Sequence, residues 1–142
     1  MHRPTVLAAI IVAGITTTVS AQQPAAAGIK PSDVAGVWDA KSMVGTNDTV
    51  VATSVLTATA DTSGWTMKLE GRDLIAMRVV AMGGDSIVTE AGPYPSILRA
   101  GLTVTVLRNV SHYKGDTMWG TFEALYSSGD KFSGKVTATR RK

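Results

Sequence analysis

From residue 34 onward, short runs of alternating apolar and polar residues are cut by turn signals at intervals of roughly 8–15 residues, the spacing of an all-β chain. The turns are Gly45-Thr46-Asn47-Asp48, Asp61-Thr62-Ser63-Gly64, Gly71-Arg72-Asp73, Gly83-Gly84-Asp85, Lys114-Gly115-Asp116 and Ser128-Gly129-Asp130, with a longer connection over 92–101. Gly, Asn and Asp tolerate the positive φ that tight hairpins demand. Between them the pattern predicts eight strands, over 34–43, 49–60, 65–70, 74–82, 86–91, 102–113, 117–126 and 132–140. No 12-residue window after the leader has helical periodicity. Charged residues make up 18% of the chain, against roughly 25% in an average globular protein, and Thr, Ser, Ala and Val fill the difference.

Several strands carry one apolar face. Trp65, Met67 and Leu69 alternate with Thr66, Lys68 and Glu70. Met118, Gly120, Phe122, Ala124 and Tyr126 alternate with Thr117, Trp119, Thr121 and Glu123. Phe132, Gly134, Val136, Ala138 and Arg140 form the matching row of the last strand. One-sided alternation through sequential hairpins means an antiparallel sheet with one buried face. Eight such strands in a meander are expected to curl into a closed barrel or a strongly curled sandwich, because closure removes exposed edges. Gly-Asp recurs at 84–85, 115–116 and 129–130, each time just before a strand, and reads as one hairpin solution reused.

Trp38 leads the inward set of the first strand, and Arg140 ends the inward set of the last. In a closed barrel these strands are neighbours, so the guanidinium is expected to stack over the indole, worth about 0.5–2 kcal/mol. With Gly36, Trp38 and Arg140 on the page, the body resembles the lipocalin-like (calycin-type) barrels, which open on a Gly-x-Trp and close with an Arg packed across the Trp. The resemblance implies an eight-stranded barrel with a ligand cavity at its open end. Trp65, Met67, Met77, Phe122 and Tyr126 are the expected cavity lining.

The N-terminus supplies Arg3, an apolar stretch from Val6 to Ile15, and the small residues Val19-Ser20-Ala21 of an A-x-A-like cleavage site. Residues 1–21 therefore read as a signal peptide, or alternatively as an uncleaved anchor. The uncharged stretch 4–21 gives about 18 helical residues and ~27 Å, just enough to span a bilayer core. Either way the body is exported. Residues 22–33, rich in Ala, Gln and Pro, read as a linker, and 34–142 as the β-domain. There is no cysteine, which excludes disulfides and thiolate chemistry. An exported domain without disulfide staples points to a bacterium, and hence to the periplasmic side of its inner membrane.

Catalytic signals are missing from this pattern. His2 belongs to the leader, so His112 stands alone in the body, too few ligands for a His-based zinc site. No nucleophile elbow, phosphate loop or dinucleotide fingerprint occurs. Asp39, Glu70, Glu90 and Glu123 alternate with apolar residues as solvent-facing carboxylates would. The only basic run is Arg140-Arg141-Lys142, unlike the basic faces of nucleic-acid binders. No enzyme, cofactor, metal or nucleic acid is expected. What remains is binding. One reading is an accessory subunit docked on a membrane protein complex, with Trp119, Tyr94 and Tyr113 as interface aromatics. The alternative is a soluble periplasmic carrier of a small apolar ligand.

Overall fold

A computed structural model describes residues 28–142; the leader, with Arg3 and His2, lies outside the described residues. One helical turn, α1 (Pro31–Val34), precedes nine strands. These are β1 (Gly36–Val44), β2 (Thr49–Ala58), β3 (Thr66–Leu69), β4 (Leu74–Gly83), β5 (Ser86–Ala91), β6 (Tyr94–Pro95), β7 (Thr103–Lys114), β8 (Thr117–Tyr126) and β9 (Lys131–Arg140). Every pairing is antiparallel. Neighbours along the chain pair except β5 and β6, β5 pairs instead with β7, and β9 returns to β1. Eight strands thus close a barrel, and two-residue β6 sits outside the ring, paired only with β7.

The eight expected strands are the eight barrel strands, with ends shifted by a few residues. Two boundaries need correction. The first strand begins at Gly36, because Pro31 fixes a helical φ and the Lys30 amide is capped by the Asp33 carboxylate at 2.9 Å. Val34 is therefore in a helical turn, where it is fully buried. The linker expected to run to residue 33 also ends sooner. Ile29 packs on the core and its amide donates to the Gly84 carbonyl at 3.1 Å, so the domain includes at least residues 29–33. The connection over 92–101, expected as a plain loop, holds β6.

The barrel has two distinct ends. The start of β1, the β4–β5 turn, the β7–β8 turn and the end of β9 meet at one of them, where α1 forms a cap. At the other end the segment 92–102 crosses the mouth as a strap. Ser96 is buried, and its hydroxyl accepts from the amides of Leu98 at 3.1 Å and Arg99 at 3.0 Å. Arg99 lies over the Tyr126 ring at 4.8 Å.

Inside, Trp38, Trp65, Met67, Met77, Ile87, Met118 and Ala138 form the main core. The rows anticipated for β3 and β8 all point inward. Outside, register aligns Arg78, Glu90, Arg108 and Glu123 across β4, β5, β7 and β8. Arg108 reaches Glu90 at 3.1 Å, and Arg78 lies 3.9 Å from it. Alternating charges directly opposite one another favour this register by roughly 0.2–1 kcal/mol per pair.

Candidate functional site

The capped end is built around the anticipated pair. Trp38 is 0% exposed, and the Arg140 guanidinium lies 4.4 Å from the centre of its ring. The Trp38 indole N–H donates to the Val34 carbonyl at 3.0 Å. Arg140 donates to the Ala35 and Asp33 carbonyls, ending the short helix from above, and its Nε donates to the Asp116 carboxylate at 3.0 Å. One side chain therefore joins α1, β1, β9 and the β7–β8 turn. Gly36, at φ 140°, adopts a backbone that residues with a side chain rarely enter. Its Cα lies beneath the Arg140 stem, where an added Cβ would meet guanidinium and methylene atoms at 3.5–3.7 Å. Alongside, Arg141 grips the Asp39 carboxylate through two nitrogens, at 3.0 and 2.8 Å, which holds that carboxyl below its usual range.

The interior behind this cap is divided and largely filled. Trp65, Met67 and Met77 border a cavity of about 40 Å³ in the middle of the barrel. Phe122 and Tyr126, with Met67 shared, border a second of about 50 Å³ under the strap. The five expected lining residues thus face the interior but divide between two small spaces. The middle cavity has a polar belt that the sequence reading did not pick out. Ser42 and Ser54 stand on β1 and β2, with Thr89, Asn109 and Ser111 opposite on β5 and β7. Thr89 is only 5% exposed. These groups line the cavity, whose volume has room for a few waters at most.

The outer aromatics differ in kind. Trp119 is 42% exposed on β8, tilted against His112 with ring centres 5.9 Å apart. His112 in turn contacts the Asp85 carbonyl through Nδ1 at 3.1 Å. Tyr94 and Tyr113, expected as displayed aromatics, are half-buried and pack against the main core. The reason for Tyr94 is β6, whose pairing with Val104 holds the residue against the core. Asp39, Glu70 and Glu123 are exposed as expected, whereas Glu90 is half-buried between its two arginines. Among the described residues no group of three or more His, Cys, Asp or Glu could hold a metal ion.

Burial pushes the Tyr94 hydroxyl up to about 12, with the nearby Tyr126 adding to the shift. A folded-state value above the unfolded one near 10 means stability that is complete below pH 10 and lost as pH climbs toward 12. The unfolding midpoint in urea should therefore fall across that window, and Tyr94→Phe should flatten the fall. An equal decline in the variant would remove Tyr94 as its source.

These features define a closed, eight-stranded antiparallel barrel, capped by a helical turn and strapped at its far end. The chain matches no protein-family model, no curated protein and no solved structure in the comparisons made.

Proposed function

We propose that this chain is an exported, non-catalytic accessory β-domain. It docks on a membrane protein complex from the periplasmic side of a bacterial inner membrane, and residues 1–21 direct or anchor it there. The observation that carries this reading is the filled barrel. Its internal spaces of about 40 and 50 Å³ fall well short of the roughly 300–1,000 Å³ of a typical small-molecule site. Recognition then falls to the outer surface, where Trp119 stands out of an otherwise polar row of β8. Large exposed aromatics are typical anchors of interfaces. The same volumes, and the polar belt in the middle cavity, weigh against carriage of an apolar ligand. Among the described residues no helix is long and apolar enough to cross a membrane, so attachment depends on the leader or on the partner.

The test is membrane fractionation in the native host, with intact-mass measurement of the mature chain. The full-length protein should sediment with membranes and comigrate with a larger assembly in mild detergent. Trp119→Ala should weaken that comigration at least tenfold, since interface anchors carry roughly 2 kcal/mol or more, while leaving thermal unfolding unchanged. A mature chain that starts at Gln22 and stays freely soluble would overturn the reading.

A further inference from the structure

A groove outside the barrel has dimensions that the interior lacks. It lies at the strapped end, between the β3–β4 turn and the segment leaving β5, and measures about 390 Å³, within the usual range for small-ligand sites. Its floor follows from strand alternation. Ile75 and Met77 turn inward, leaving Leu74, Ala76 and Arg78 in a row on the outside of β4. The small Ala76 keeps the middle of that row low. Tyr94 and its flanking prolines form the opposite wall, tied to β4 where Arg78 donates to the Gly92 carbonyl at 3.1 Å.

Two properties of the groove point to one class of ligand. Leu74 is 65% exposed, the most exposed large apolar side chain among the described residues, so an apolar occupant would cover surface that is costly to leave in water. The charge at the rim is unbalanced, with Arg72 and Arg78 against the single carboxylate of Asp73. Arg72 makes no ion pair among the described residues, and Arg78, beside its hydrogen bond to the Gly92 carbonyl, has as its one ion-pair contact among them a long 3.9 Å approach to Glu90, which Arg108 already holds at 3.1 Å. A guanidinium matches a carboxylate in shape and charge.

We propose that this groove binds an aliphatic monocarboxylate, its head group at the Arg72–Arg78 rim and its chain along Leu74, Ala76 and Tyr94. The site is independent of docking through Trp119, which lies toward the other end of the barrel on β8. The full-length chain in phosphatidylcholine nanodiscs is titrated with octanoate, with octanol as the uncharged control, and the methyl NMR signals are followed. Octanoate should shift the Leu74 and Ala76 methyls saturably, and octanol should bind at least tenfold more weakly. Arg72→Ala and Arg78→Ala should each weaken octanoate at least fivefold. Ala76→Leu, which fills the floor from an exposed position, should abolish binding while leaving core methyl signals in place. Equal binding of octanol, shifts at interior methyls such as Leu107 instead, or full binding by Ala76→Leu would each overturn the proposal.

Discussion

Trp38→Ala should lower the unfolding free energy by about 3–5 kcal/mol, the range for removing a large aromatic from a core. The indole is fully enclosed, and its truncation acts on three contacts together. The Val34 carbonyl loses its N–H donor, the Arg140 guanidinium loses the ring 4.4 Å beneath it, and the core cluster that Val34 shares loses its largest fully buried side chain. Collapse does not refill the space, because α1 is a single turn held by Arg140 rather than by a long packed face. Since a domain of this size holds only about 5–15 kcal/mol in total, the variant should approach the limit of folding. Trp38→Phe separates the effects: it keeps most of the ring and gives up the indole N–H, leaving an unpartnered carbonyl worth about 1–3 kcal/mol. Urea denaturation measures both. A loss below about 1 kcal/mol for the alanine variant would mean that the cap is not organised by this residue.

The barrel was legible because its strongest signals are local. Turns rich in Gly, Asn and Asp set strand ends, and β3, β8 and β9 alternate without interruption, so their faces could be assigned. The Trp38–Arg140 pair followed from closure alone, and the two residues are direct cross-strand partners. What could not be read depended on irregular backbone. In β7, alternation continued from Val104 would send Val106, Arg108 and Val110 inside. A bulge between Val104 and Val106 resets the parity, and Leu107, Asn109 and Ser111 point inward instead. A second bulge between Val79 and Ala81 leaves Val80 half out and returns Met82 to the core. An inserted residue changes the face of everything after it, and neither site has a Gly or Pro to announce it. Asn109 and Ser111 of the polar belt were hidden for that reason, whereas Tyr94 was placed by the pairing of β6 with β7. The groove at the strapped end lay beyond sequence reading altogether, because its second wall is set by the pairing of the two-residue β6 with β7.

Gly120→Ala should be as damaging as the tryptophan truncation, although it adds a single methyl group. A Cβ at this position would overlap the Val110 carbonyl oxygen and lie 2.8 Å from the Ser111 Cα. Both obstacles are backbone of β7, fixed by the ladder in which Ser111 faces Gly120, so neither can rotate aside. Gly134 on the adjoining strand has the same limit, with the Met43 carbonyl oxygen in the way and the Phe122 ring lying over it. Both glycines stand where the backbone of another strand approaches closely, a recognised use of glycine inside a strand. Overpacking usually costs about 1–3 kcal/mol, and an obstacle made of backbone puts Gly120→Ala at or above the upper end. Gly83→Ala is the matched control: no atom lies within 4 Å of its would-be Cβ, and removing glycine entropy there should leave stability unchanged or raise it by a few tenths of a kcal/mol. Circular dichroism during thermal unfolding compares the two. If Gly120→Ala melted with the wild type, the close approach of β7 to β8 would have to be wrong.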